Sequence, residues 1–389
     1  MSAKKRVPKL RFRGFGGEWE VKKFGACVLI QRGGSPRPIE NFITNDENGI
    51  NWIKIGDVST ASRYITKTKQ KIIKEGEKHS RNIYKGDLIL SNSMSFGRPY
   101  IMEIDGCIHD GWLLIRDEKK MFSLEYLLQL LSSDYMINQY KALAAGGVVI
   151  NLNSELVQST NVFIPDIKEQ TKIGNYFQNL DKLIEQKEKK HQKLGQLKKA
   201  ILEKMFPKEG ATTPEIRFKG FSGEWEEKKL NEICIYKTSS LSYNDNTSTG
   251  QYKLYDANKV IGFTNSNIQK NDYITIIKDG SGVGRVRLLP ANTAFIGTMG
   301  AFHSNEASNI YFLFCCLIKT DFTKYITGAT IPHIYFSNYG ESYYYVPTKD
   351  EQTKIGNYFQ KLDHLIELQD QELQKLKNIK KASLAKMFV

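Results

Sequence analysis

Two short polar loops carry residue types that can grip a polyanion. Ser91, Asn92, Ser93, Met94, Ser95, Phe96, Gly97 and Arg98 follow the β-rich run beginning at Asp87, and Lys278 through Arg285 (with Gly280, Ser281, Gly282 and Gly284) follow Tyr273 to Ile277. Glycine lets backbone approach a phosphate, hydroxyls donate to its oxygens, and an arginine fork can hold guanine or phosphate through two bonds. The candidates are Asn92, Ser93, Ser95 and Arg98 in the first loop, and Lys278, Ser281 and Arg285 in the second, with Arg287 just beyond. Arg63, Lys67 and Lys69 extend the first set, and Arg32, Arg37 and Lys259 are further basic positions. Taken singly, each basic residue is more readily a solvated surface charge, and each loop more readily a hairpin with an incidental arginine, than a contact to a polyanion. Their recurrence at corresponding places favours the binding reading.

Other chemistry leaves no comparable trace. The chain has no Walker A lysine motif, Gly280-Ser-Gly282-Val-Gly284 lacks the third-glycine spacing of a dinucleotide loop, and the six histidines form no HExxH pair. His109 and His303 sit near Trp112 and Phe302 and read equally well as core histidines. Cys27, Cys107, Cys234, Cys315 and Cys316 never fall at the spacing of a zinc knuckle, so they read as buried reduced thiols.

Composition is consistent with a polyanionic partner. Lys and Arg total 56 against 42 Asp and Glu, a formal net charge of +14. A hydrophobic fraction of 40% and an aromatic fraction of 11% suffice for real cores. The basic start, Met1 to Arg6, runs into Phe12 and Trp19 rather than an apolar signal core, and no stretch reads as a membrane span. A cytoplasmic location is expected.

The elements that must position the loops are duplicated. The run Pro8 to Glu20 returns in closely similar form as Pro214 to Glu226, 206 positions on. The run Glu169 to Gln178 recurs unchanged as Glu351 to Gln360, 182 positions on, and the likeness continues to Met205-Phe206 and Met387-Phe388. Conserved ends with divergent middles suggest one frame presenting two different surfaces.

From Glu169 the apolar spacing is helical, with a coiled-coil seam through Ile173, Tyr176, Leu180, Leu183, Leu194, Leu197 and Ile201. The second copy offers Ile355, Tyr358, Leu362, Leu365, Leu376 and Ile379. Thr348 with Glu351, and Asp166 with Glu169, read as capping boxes. Each helix of about 40 residues would run on the order of 60 Å. A compact domain of roughly 140 residues, with a radius of gyration of about 14 Å, closes easily on one end of an antiparallel pair but not across a parallel one. Lys187 and Lys190 would then meet Gln369 and Glu372 near the midpoints, unless these are simply solvated faces.

The resulting expectation is an α+β chain: two pseudo-repeated globular domains separated by a pair of long antiparallel coiled-coil helices. The boundaries are residues 1–165, the helix at 166–206, a linker and second domain at 207–347, and the helix at 348–389. A single helix-like stretch is expected from Leu124 to Leu143.

Pro165-x-x-x-Glu169-Gln170-x-x-Ile173 and Pro347-x-x-x-Glu351-Gln352-x-x-Ile355, each opening a long helix, resemble the conserved regions of type I restriction–modification specificity subunits. The loops from Gly86-Asp87 to Gly97-Arg98 and from Gly280 to Arg285 are similar to that family's target-recognition domains, although Asn271-Asp272 replaces a clean Gly-Asp in the second. The resemblance spans essentially the whole chain. It implies a non-catalytic protein in which each target-recognition domain reads one half of a split site in double-stranded DNA, while the helices set the gap. It further implies two modification subunits that methylate adenine with S-adenosylmethionine, and restriction subunits that use ATP and Mg. None of these cofactors would bind this chain. A coiled-coil adaptor for proteins remains an alternative, and a lone DNA methyltransferase or nuclease a weaker one.

Overall fold

The computed structural model describes residues 7–58, 62–92, 96–144 and 152–388. They form two compact units, residues 1–189 with 371–389, and residues 190–370. Each unit contains a globular domain, labelled its reader after the role the resemblance implies, and half of each long helix.

In the first unit, the reader is stitched shut where it leaves the frame. Glu20–Lys23 pairs antiparallel with Asn161–Ile164, so the two chain ends of the reader lie side by side. Between them are two five-stranded sheets. One runs in the order Leu29–Arg32, Trp112–Arg116, Leu88–Ser91, Pro99–Met102, Tyr64–Ile65. The other runs Ile43–Thr44, Gln70–Ile72, Ile50–Ile53, Gly106–Ile108, Arg81–Ile83. The helical stretch after Ser123 is two helices, Leu124–Ser132 and Asp134–Ala144. The chain leaves the first at Ser133, whose backbone is extended (ψ 150) and whose hydroxyl donates to Leu130 O at 2.6 Å. Serine competing locally for the backbone is what periodicity alone overlooks.

The second unit repeats the stitch, Glu226–Lys229 against Tyr343–Val346, but not the sheets. Its reader has a four-stranded sheet (Cys234–Thr238, Met299–Ser304, Tyr273–Ile277, Val286–Leu289) and a three-stranded one (Val260–Thr264, Tyr252–Tyr255, Thr293–Phe295). One helix, Ile310–Lys319, replaces the pair. All five cysteines are buried and free.

The long helices span Ile167–Lys204 and Lys349–Met387. In each unit their halves run antiparallel. In the first, Tyr176 meets Ser383 at 3.1 Å, Asp181 pairs with Lys380, and Lys187 pairs with Glu372, the midpoint pairing that the sequence suggested. In the second, Lys198 meets Asp363 at 2.5 Å and Phe206 meets Phe359. Lys198–Asp363 and Lys380–Asp181 are the same interaction at the 182-residue offset.

The seam differs from the expected one at four leucine or isoleucine positions. Ile173, Leu180, Ile355 and Leu362 are buried, and Leu194 and Leu376 half-buried. Leu183, Leu197, Leu365 and Ile379 are instead 45–50% exposed. The covered stripe passes through Phe177, Ile184, Lys187, His191, Leu194 and Lys198, a 3.5-residue repeat that admits paired polar residues. Counting only apolar residues misplaced it, because several seam positions are charges satisfied across the helix pair.

The helix starts also differ from the capping boxes. Asp166 accepts from Lys168 N at 2.8 Å, but Glu169 turns away to Arg11, at 2.7 Å to both oxygens, and to Trp19 Nε1 at 3.2 Å. Glu351 likewise takes both bonds of Arg217 at 2.6 Å. A two-bond, charge-assisted pair outcompetes a single bond to a helix amide. The neighbouring glutamines close the joint. Gln170 accepts from Ser123 N and donates to Met121 O and Pro165 O, and Gln352 does the same with Asn309 N, Ala307 O and Pro347 O. Gly174 and Gly356 let the reader helix lie against the long helix. A Cβ there would stand 2.8 Å from Tyr126 N and 2.5 Å from Asn309 Oδ1.

His303 is half-buried at the edge of the core, stacked on Tyr273 at 5.7 Å, and burial pushes its imidazole down to about 4.

Two outcomes follow. Removing the fully buried Glu351 strands the Arg217 guanidinium, so Glu351→Ala is expected to cost about 2–4 kcal/mol in urea unfolding. Arg217→Met with Glu351→Leu should lose less than the single variant, since both charges go. For His303, the unfolded chain takes up a proton near pH 6.5 and the folded chain only near 4. Its contribution is therefore complete above pH 6.5 and declines as pH falls toward 4. His303→Gln should shrink the stability difference between pH 7 and pH 4.5 by about 1–2 kcal/mol, less than the whole shift would give because solvent screens a half-buried ring.

Candidate nucleic-acid interface

The two candidate loops close identically although their sequences differ. Ser91 N donates to Arg98 O and Gly97 N to Ser91 O, both at 3.0 Å. Ile277 N donates to Arg285 O at 3.0 Å and Gly284 N to Ile277 O at 2.9 Å. The glycine before each arginine has positive φ, 70° at Gly97 and 86° at Gly284. A Cβ would meet Tyr140 at 2.9 Å in one and Phe322 at 2.7 Å in the other, so both conformation and space demand glycine.

A second segment docks on each loop, and the sequence reading missed it. Ile334 N donates to Lys278 O at 2.9 Å and Gly280 N to Pro332 O at 2.8 Å, with a β-bridge between Asp279 and His333. In the first unit Leu152 N donates to Asn92 O at 2.9 Å. Gly146 and Leu152 stand 182 positions before Gly328 and Ile334, the offset of the unchanged repeat, so extending that repeat backwards would have found it. In the second unit this segment presents Ile331 (63% exposed) and Tyr335 (54%).

The individual candidates are placed as follows. Ser93 and Ser95 lie outside the described residues. Asn92 is buried, its amide donating to Asp110 O at 2.9 Å, so it holds the loop from within rather than facing a ligand. Lys67 and Lys69 are exposed, the latter reaching Gly56 O at 3.3 Å. Arg98 lies over the Tyr100 ring at 5.4 Å and borders a groove that also holds half-buried Arg63. Burial, then the Arg98 charge, pushes the Arg63 guanidinium below its ordinary value.

In the second unit Ser281 is exposed and Lys278 pairs with Asp279 at 2.6 Å. Arg285 donates to Ala257 O (2.6 Å) and Asn258 Oδ1 (2.7 Å), and Arg287 to Asn258 O (3.1 Å) while lying over Tyr255. Both arginines thus brace the 256–259 turn, whose Asp256 accepts from the Asn258 and Lys259 amides. Arg32 reaches Asp110 O at 3.2 Å, Arg37 is exposed beside the Asp110 carboxylate, and Lys259 is exposed. His109 Nδ1 lies 2.9 Å from Gly111 N and 2.9 Å from the Asp110 carboxylate. The equivalent arginines therefore project into different surroundings, one toward the helix pair and the other toward a neighbouring turn of its own reader.

Among the described residues, no group of His, Cys, Asp and Glu is placed to hold a metal, and no helix is long and apolar enough to cross a membrane.

Comparison with known proteins agrees with this duplicated layout. The type I restriction modification DNA specificity domain matches residues 17–196 and again 222–378. The type I restriction enzyme MjaIX specificity subunit of Methanocaldococcus jannaschii is 22% identical, over 95% of this chain and 92% of its own. The putative MjaX specificity subunit of the same organism is 24% identical, over 94% and 91%. Among solved structures, the type I restriction–modification S subunit from M. genitalium superposes with a TM-score of 0.69 at 17% identity, over 98% of this chain and 99% of that one. A chain from a structure describing complex assembly and conformational transition of the type I R-M system gives 0.54 at 16% identity, over 95% and 97%. With both repeats matched and nearly the whole length covered, this chain belongs to the family of type I restriction–modification DNA specificity proteins.

Proposed function

We propose that each reader recognises one half of an asymmetric, bipartite site in double-stranded DNA, and that the two long helices set the unspecified gap and dock two modification subunits. The observation that carries this reading is the contrast between what is built twice and what is not. The Arg–Glu clamp, the glutamine joint and the glycine contact recur in both units. The readers they carry differ in strand number and sheet order. A frame made twice with unlike readers suits two unlike half-sites.

Helix length is compatible with the spacing. A helix of 38 residues extends about 57 Å at 1.5 Å per residue, and half-sites one DNA turn apart need about 34–36 Å. The exposed Leu183, Leu197, Leu365 and Ile379 offer outward apolar positions on the helices for the modification subunits. In this reading the chain is non-catalytic and acts beside DNA in the cytoplasm. Adenine methylation with S-adenosylmethionine belongs to the modification subunits. DNA translocation and cleavage, with ATP and Mg, belong to restriction subunits.

The test is genome-wide adenine methylation in a methylation-free host expressing this chain with its modification subunit, with and without exchange of residues 21–165 for those of another reader. An asymmetric two-part motif is expected, with the exchange altering one half only. A perfect palindrome would refute unlike half-sites, and an assembled complex with no motif would favour the protein adaptor.

A further inference from the structure

Within the first unit a groove of about 350 Å³ lies between the reader and the helix pair. Cations reach it from three elements: Arg63 from the run before Tyr64–Ile65, Arg98 from the end of the candidate loop, and Lys380 from the second long helix. The carboxylate among them is Asp181, which is paired with Lys380 and also accepts from Gln129 at 3.3 Å. Glu188 on the rim is taken by Lys377 at 2.7 Å and Glu185 by Lys189 at 2.6 Å. Glu125, deeper in the unit, accepts from Tyr64 and Gln178.

Arg63 is the residue left wanting. Among the described residues its guanidinium makes one hydrogen bond, to Pro99 O at 3.4 Å, and none to a carboxylate. Burial and the neighbouring positive charges push both Arg63 and Lys380 below their ordinary values, so each is a cation held in an unfavourable place. A half-buried arginine fork with open donors stabilises an incoming oxyanion through two charge-assisted bonds. The equivalent pair in the second unit, Lys198–Asp363, is completed by the Tyr311 hydroxyl at 2.9 Å.

We propose that this groove binds a phosphate group, with Arg63 and Lys380 as its principal ligands and Arg98 beside them. Tetrahedral phosphate presents oxygens to cations arriving from three directions, whereas a carboxylate offers two oxygens in one plane, a role Asp181 already fills. The phosphate comes either from the DNA backbone, a source that rests on the DNA-reading proposal above, or from a free phosphate or nucleotide. Either would tie the reader to the helix pair of the first unit.

The experiment uses the full chain and its Arg63→Gln variant, melted in sodium phosphate and in sodium chloride at equal ionic strength. Phosphate is expected to raise the wild-type Tm by about 2–4 °C over chloride and to leave Arg63→Gln unmoved. Arg63→Lys, which keeps the charge without the fork, should recover part of the rise and guards against a folding defect in the first variant. Salt titration of duplex binding then separates the sources. A slope of log K against log salt reduced by about 0.9 in Arg63→Gln assigns the phosphate to DNA. An unchanged slope, with phosphate protecting the wild type but not Arg63→Gln, assigns it to a free ligand. A chain that binds no duplex yet keeps Arg63-dependent protection leaves the groove standing while the DNA reading fails. Equal protection of wild type and variant, or none in either, overturns the proposal. So does an Arg63→Gln variant that weakens only assembly with the modification subunit, which would point to an acidic protein surface instead.

Discussion

A buried carboxylate at the start of each long helix organises the fold around it. Glu169 and Glu351 are 1% and 0% exposed, and each is held by an arginine roughly 130 to 160 residues away in sequence, Arg11 and Arg217. The cost of burying the charges is offset only when both oxygens are occupied, so the clamp forms in one geometry or not at all. The glutamine that follows each carboxylate, Gln170 or Gln352, then joins reader to helix, donating to Pro165 O or Pro347 O. The glycine four residues further on then permits the reader's own helix to lie against the long one.

Everything beyond the joint is free to differ, because the joint and the two-stranded stitch already define where each reader begins and ends. The readers exploit that freedom in their sheets and yet keep one loop geometry, the glycine-arginine closure at residues 97–98 and 284–285. Keeping the backbone while changing the surroundings redirects the arginine. Arg98 borders the groove beside the helices, and Arg285 grips the turn at 257–258. Two readers on one plan therefore present different chemistry at the same topological position.

Matched charges as well as apolar contacts join the helix pair. Lys380–Asp181 and Lys198–Asp363 occupy the seam where a simple heptad would place leucine, and they admit only one axial register. At its ends the pair is sealed by aromatic rings, Phe388 near Tyr126 at 5.6 Å and Phe206 near Phe312 at 5.4 Å. The leucines displaced from the seam remain exposed, which gives the helices an outer face of different character from the inner one.

The duplicated frame, the two long helices, their antiparallel sense and the Lys187–Glu372 contact were all legible in the amino-acid sequence. Repetition and 3.5-residue periodicity are local signals, and chain connectivity constrains direction. The split at Ser133, the polar seam, the diversion of Glu169 and Glu351 from capping to clamping, and the docking of residues 327–335 on the second loop were not. The Ser133 split is a local bond of its hydroxyl to Leu130 O that apolar periodicity overlooks, and each of the others depends on a partner distant in sequence, such as Arg11 for Glu169 or Lys380 for Asp181, which periodicity cannot name. Sequence alone thus determined that one frame occurs twice around two different readers. Only the tertiary structure decided which of the candidate side chains are turned inward and which border a groove, because burial and pairing across the fold bury Asn92 and leave Arg63 beside an open groove.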